Sequence, residues 1–219
     1  MNIGAGIDGN GKVVSKNRVI TKDFKEIKVS QGLDLYLTQS NDVALSIEAD
    51  ENIHDLIMTE VENNILRIYT TENIRSASSK KISLNFIHIS TIKATSGSDV
   101  YGTNTIEVDT LELHSTSGAD ITLAVKTQKL NCNATSGSDI KLNGTTNLFF
   151  AKATSGSDIK ALDLEAKTSN IRATSGADIS INTAKELTAT ATSGGAINYS
   201  GNPKTLNISD SSAGSVKHY

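Results

Sequence analysis

The chain has 219 residues, 37% of them hydrophobic and 4% aromatic, with 21 Lys and Arg against 24 Asp and Glu for a formal charge of −3. That length holds one domain or two small ones, and the near balance of charge excludes the broad basic field that nucleic acid or an anionic membrane would require. One proline, no tryptophan and one cysteine, Cys132, leave an interior of Ile, Leu, Val and Ala, without an internal disulfide framework or a cysteine-rich metal site.

Residues 1–12, with the run Gly4-Ala5-Gly6-Ile7-Asp8-Gly9-Asn10-Gly11, read as a flexible leader that lacks the apolar core of a signal peptide. No stretch of the chain approaches the roughly 20 apolar residues that cross a bilayer as a helix.

Residues 13–92 read as irregular β coils that cap one end of a solenoid. Leu33, Leu35, Leu37 and then Val43, Leu45, Ile47 alternate with period two, as strands do, on either side of a Ser40-Asn41-Asp42 turn. Asp50 to Ile57 suits a short helical turn, and Asn63-Asn64 and Ser76 to Lys81 suit turns or surface loops.

From residue 93 to 219 one word recurs. It is Ala94-Thr95-Ser96-Gly97-Ser98-Asp99-Val100 in its first copy, with further copies at 115–121, 134–140, 153–159, 173–179 and 191–197 and an echo at Ser211-Ser212-Ala213-Gly214-Ser215-Val216. The glycines stand at 97, 118, 137, 156, 176, 194 and 214, so successive gaps are 21, 19, 19, 20, 18 and 20 residues. A fixed period of this size marks a solenoid, and flanks that alternate with period two make each coil β rather than helical. Counting from the glycine, positions −7, −5 and −3 (Leu130, Cys132 and Ala134 in one coil; Phe149, Ala151 and Ala153 in the next) and position +3 (Val100, Ile121, Ile140, Ile159, Ile179, Ile197) should face inward, with Ser and Gly turning the corner. At about 3.3 Å per residue, a coil of ~20 residues has a contour of roughly 65 Å, enough for a closed turn of short strands stacked at ~4.8 Å. The pattern predicts an all-β, single-stranded parallel β-helix with ~19–20-residue coils, right-handed by the usual rule for parallel crossovers. The spacing of Gly32, Asp34 and Leu35 repeats the same register, which makes the cap and the coils one continuous domain.

The segments Asp23-Phe24-Lys25-Glu26-Ile27-Lys28-Val29-Ser30 and Leu33-Asp34-Leu35-Tyr36-Leu37-Thr38-Gln39, followed by serial Ser-Gly-x-Asp coils, resemble the head GIN domain family of auto-transporter adhesins over about residues 13–216. The resemblance implies a right-handed β-helix in an exported bacterial protein at the cell surface, associated with the outer membrane or in the periplasm. It implies adhesion and supplies no catalytic residues.

Position +2 holds Asp99, Asp120, Asp139, Asp158 and Asp178, carboxylates that stacking brings within roughly 5 Å of one another. Oxygen ligands in Gly-x-Asp turns suit a calcium ladder. The plainer reading has each Asp cap its own Ser-Gly turn, with Lys93, Lys152 and Arg172 at −4 and Lys141 and Lys160 at +4 relieving the charge. Position −2 holds Thr95, Thr116, Thr135, Thr154, Thr174 and Thr192, a hydroxyl column that could order water, although the paired Thr-x-Thr array of ice-binding helices is missing. His54, His88, His114 and His218 have no metal-ligand spacing, and the inward Cys132 reads as packing.

These features point to a non-enzymatic, exported surface or adhesion module without a cofactor, calcium aside. Its Thr and Asp columns would form a face for a glycan or surface protein, and nucleic acid would not be a partner. Two alternatives stand beside it. One is a pectinase-like, polysaccharide-active β-helix enzyme, against which five equivalent aspartates count because an acid and a base need different environments. The other is a scaffold whose coils assemble into homo-oligomers.

Overall fold

The structure, a computed structural model, describes residues 6–211 and 213–219. In chain order the strands are β1 (Ile7–Asp8), β2 (Val13–Arg18), β3 (Glu26–Val29), β4 (Asp34–Gln39), β5 (Ala44–Asp50), β6 (Ile57–Glu62), β7 (Ile65–Thr70), β8 (Ile74–Ser76), β9 (Lys80–Phe86), β10 (Thr91–Thr95), β11 (Asp99–Gly102) and β12 (Ile106–Thr116). They continue as β13 (Asp120–Thr135), β14 (Asp139–Thr154), β15 (Asp158–Thr174), β16 (Asp178–Thr192), β17 (Ala196–Ser200), β18 (Thr205–Ser211) and β19 (Ser215–His218). Helix among the described residues is a single 3₁₀ segment, Glu51–Leu56, where a helical turn was expected.

From β10 onward each strand pairs in parallel with the strand one coil later, and the register follows the repeat. Thr95, Thr116, Thr135, Thr154, Thr174 and Thr192 are successive partners, as are Asp99, Asp120, Asp139, Asp158 and Asp178. The fold is therefore the parallel β-solenoid that the period predicts, with ~19-residue coils. The segment before each Ser-Gly corner forms a first face, and the segment after it forms a second. The twenty-residue gap between Gly156 and Gly176 is absorbed by an irregularity where Ala161 to Glu165 meets Ile181 and Asn182.

Inward positions are closed to solvent as parity requires. Leu130, Cys132, Ala134, Phe149, Ala151 and Ala153 on the first face are buried, as are Val100, Ile121, Ile140, Ile159, Ile179 and Ile197 on the second. Burying each larger aliphatic chain contributes about 1.5–3 kcal/mol. The corner is a left-handed pair: Ser136 has φ 59° and Gly137 φ 66°, and the other regular coils repeat this geometry. A Cβ added at Gly137 would meet nothing within 4 Å, so the glycine answers to conformation and not to crowding. Inter-coil bonding also runs through the corner, with Gly118 N–H donating to the Ser136 carbonyl at 3.2 Å and Gly137 N–H to the Ser155 carbonyl at 3.1 Å.

The cap departs from a simple continuation, because space does not follow chain order. β3 and β4 pair with β10 and β11 on one side and with β7 and β9 on the other, so the segment 65–86 lies outside the segment 26–39. β4 and β5, the two alternating strands on either side of the Ser40 turn, do not pair with each other, and β9 lies between them. Antiparallel strands close this end: β6 pairs with β7, β5 with β9, and β2 with β5. Edges are thus covered where a parallel stack would leave them open.

The part of the leader that can be described is held in place, contrary to the expectation of flexibility; residues 1–5 lie outside the described residues. β1 pairs with β8, Gly9 N–H donates to the Ser76 carbonyl at 2.8 Å, and Arg75 forms a two-point ion pair with Asp8. Glycine serves close approach here. A Cβ on Gly9 would lie 2.1 Å from a carboxylate oxygen of Asp50.

Candidate binding faces

The aspartates of the second face do not cap the corner. Among the described residues none of them accepts a bond from an amide of its own turn. The task falls to the buried residue at +1. Ser138 Oγ donates to the Ser115 carbonyl of the previous coil at 2.8 Å and accepts from Thr135 N–H at 3.1 Å. Ser98 and Ser157 repeat the pattern toward Val29 and Ala134. Where +1 is Ala119, the hydroxyl comes from −3 instead, with Ser115 Oγ donating to the Ala119 carbonyl at 2.6 Å. A buried hydroxyl reaches corner groups that an outward carboxylate cannot.

The acidic column is longer than the repeat suggests, since Asp34 is the register partner of Asp99 and Lys81 that of Asp34. Its members differ in surroundings. Partial burial pushes the carboxyl of Asp34 up, and burial followed by repulsion from Asp120 and Asp34 pushes that of Asp99 up. Farther along, Lys160 Nζ lies 2.6 Å from Asp139 and 3.4 Å from Asp158. Asp120 accepts from the Asp139 N–H of the next coil at 3.2 Å. The cations at −4 do not serve this column, because the corner separates the faces; Lys93 pairs with Glu26 at 2.7 Å instead. No three His, Cys, Asp or Glu groups converge to hold a metal ion among the described residues.

Beside the acidic column stands an aromatic pair. Tyr36 and Tyr101 stack with centroids 5.1 Å apart, Lys81 Nζ lies 4.7 Å from the Tyr36 centroid, and the Tyr101 hydroxyl donates to Asp99 at 3.3 Å. Both tyrosines occupy +4, counted from Gly32 and Gly97. The alignment that places Asp34 on the ladder thus held the signal for this pair.

On the first face the threonines at −2 are half-exposed, and each hydroxyl of Thr95, Thr116 and Thr135 sits 3.4 Å from that of the following serine. One direct rung joins Thr192 to Thr174 at 3.1 Å. Cys132 is buried, and burial pushes its thiol up, away from nucleophile chemistry. His54 is buried in the cap with Nε2 3.1 Å from the Ile47 carbonyl, and His114 pairs with Glu112 at 3.0 Å. Surface depressions lie around Asp109 and Gln128 (about 530 Å³), around Val19 and Glu62 (about 470 Å³), around Arg67 and Tyr69, beside Phe24 and Val43, and, smaller at about 290 Å³, on the first face around Phe150; none of these is lined by the aspartates of the column.

A sequence model of the family described as "putative auto-transporter adhesin, head GIN domain" matches residues 23–203. Among solved structures, a putative adhesin from Bacteroides fragilis superposes with a TM-score of 0.90 at 24% identity, covering 98% of this chain and 100% of its own. A putative adhesin from Parabacteroides merdae gives 0.78 at 21% identity, covering 98% and 99%. A protein from Parabacteroides distasonis described as a putative lipid binding protein gives 0.80 at 24%, covering 97% and 99%. None of the curated proteins matches the sequence. At these identities the structural likeness establishes the solenoid alone.

Proposed function

Because this chain belongs to the head GIN domain family of auto-transporter adhesins, we propose that it is a non-enzymatic, exported binding module that presents the outward columns of its β-helix to a surface glycan or protein. The observation that carries this reading is a division of labour within each coil. Inward columns and corner hydroxyls satisfy the fold, while the outward columns stay in register and open to solvent in part or in full and include aromatic groups outside the core, the half-exposed Tyr36–Tyr101 stack and the exposed Phe150. Exposed residues of this kind are the ones that recognition uses. Family membership supports a place at the cell surface, outer membrane or periplasm. Among the described residues no helix is long and apolar enough to cross a membrane.

The difference between Asp99, with its carboxyl pushed up, and Asp139, held by Lys160, is the one observation that favours a polysaccharide-cleaving enzyme. Against it, the aspartates of the column line none of the surface depressions described above, where a chain could be held and water excluded. A glycan array read for retention, followed by chromatography of the retained glycans after incubation, separates the two. Intact retained glycans support the binding module, and shortened products establish the enzyme.

A further inference from the structure

On strand β14 the chain places two phenylalanines on opposite faces of one sheet. Phe149 points inward and is 1% exposed, whereas Phe150 points outward and is 39% exposed. The register partners of Phe150 are Asn131 and Asn170, so the ring is an insertion into a polar column and not a feature of the repeat. The position faces away from the core, and Leu148, two residues before it on the same strand, is likewise 43% exposed.

Cations surround the ring. Lys129 Nζ lies 5.3 Å from its centroid, and Lys152 and Arg172 stand beside it as register partners on consecutive coils. No carboxylate pairs with any of these three, and the side chains of Asn131, Asn133 and Asn170 make no hydrogen bond, among the described residues. Lys152, Arg172 and the three asparagines line, with Phe150, a shallow depression of about 290 Å³, whose lining also includes Glu112, already paired with His114 at 3.0 Å. Five donor-bearing side chains without a protein partner thus stand around an exposed ring, with Lys129 on the ring itself.

We propose that the Phe150 patch binds an acidic sugar residue of a glycan, an inference that rests on the binding-module reading above and names the ligand class for one face. The apolar face of a pyranose would pack on Phe150. Its carboxylate or sulfate would lie between Lys152 and Arg172, where a guanidinium offers two parallel donors, and the three amides would take the hydroxyls. The volume is at the small end of the range for ligand sites, roughly 300 Å³, which suits one ring and not a long groove. Nucleic acid and anionic membranes fit less well, because the patch holds only a few basic side chains, the chain carries a net charge of −3, and the adjoining face carries the aspartate column.

The test is biolayer interferometry of the intact chain on immobilised polygalacturonate (carboxylate), dextran sulfate (sulfate) and dextran (neutral), with duplex DNA and phosphatidylglycerol vesicles as further analytes. Binding to one or both acidic glycans, weaker on dextran, DNA and vesicles, is expected, and the stronger acidic arm identifies the anion. Phe150→Ala should weaken it about tenfold and Lys152→Ala with Arg172→Ala about a hundredfold, while Glu72→Gln, at an exposed loop position of the cap, leaves it unchanged. All of these residues are solvent-facing, so unchanged melting temperatures will show that the variants fold. Equal binding to dextran, equal or tighter binding to DNA or vesicles, or full binding by the double variant overturns the proposal. Retention of neutral glycans alone would overturn it and leave the binding-module reading standing. Retention of no glycan or surface protein at all would sink both.

Discussion

The two ends of the solenoid solve the same problem differently. At the N-terminal end, β7 and β9 are laid outside β3 and β4 and then covered by β2, β5 and β6, so that Ile68 and Ile82 are fully buried in what would otherwise be an open layer. At the other end β18 sits in register on β16, yet Leu206 is 44% and Ile208 42% exposed, although their partners Leu187 and Ala189 are buried. An inward position is therefore buried only when a further layer covers it. The repeat specifies layers, and irregular sequence specifies how a stack is closed.

The largest expected effect breaks this comparison directly. Ile140→Ala, in a middle coil, should cost about 2–5 kcal/mol by chemical denaturation, because the neighbouring coils cannot collapse into the cavity. Ile208→Ala in the last layer should cost less than about 1 kcal/mol, since water already reaches the side chain. Equal costs would show that the C-terminal layer is covered in solution, for instance by a second copy of the chain.

The next effect concerns the corner. Ser138→Ala removes a buried hydroxyl that serves both Ser115 and Thr135 and should cost about 1–3 kcal/mol. Asp139→Asn should change far less, because its carboxylate caps no turn. Gly137→Ala places a Cβ on a left-handed residue and should cost about 1–2 kcal/mol.

Acid should separate the cap from the coils. Burial pushes the Asp50 carboxyl up, but bonds from Gly11, Ser79 and Ser78 amides outweigh it and hold the group below its ordinary value. Arg75 and Ser76 bring Asp8 down to about 2. A depressed carboxyl contributes stability at neutral pH that is lost as pH falls from the unfolded value through the folded one. Asp34 and Asp99, pushed up, act in the opposite sense: their contribution is most favourable at low pH and declines as pH rises from the unfolded to the folded value. Hydrogen exchange at falling pH should thus open residues 6–12 and 76–80 before the coils, and Asp50→Asn should open them already at neutral pH. Asp99→Asn should raise the melting temperature slightly at pH 7. The smallest expected effect is that of calcium: millimolar calcium should leave the melt unmoved, whereas a rise would make the acidic column a metal site.

Much of this architecture was legible because a period of ~20 residues and alternation by twos survive any local irregularity. Asp34 could be placed on the ladder from Gly32 alone. The inverted order of the cap could not, because pairing between β3 and β7 depends on which layer arrives next and not on the letters of either strand. The leader misled for a related reason: Gly6 and Gly9 look flexible in sequence, and only the closeness of Asn73 and Asp50 reveals that a side chain would not fit. The corner misled through chemistry, since Asp is the commoner turn residue and the buried Ser at +1 looks like its incidental neighbour. Phe150 was hidden by Phe149, whose inward place accounts for an aromatic pair until parity separates the two.

If inward columns hold the fold and outward columns do the binding, substitution can separate the two. The most direct test measures, on the same preparations, the melting temperature and the glycan-array profile of the native chain and of two variants, one with Phe150, Lys152 and Arg172 replaced by Ala and one with Tyr36 and Tyr101 replaced by Ser. The account predicts melting temperatures close to that of the native chain in both variants and loss of retained glycans in at least one. Native retention in both variants, or a collapse of their melting temperatures, would contradict it.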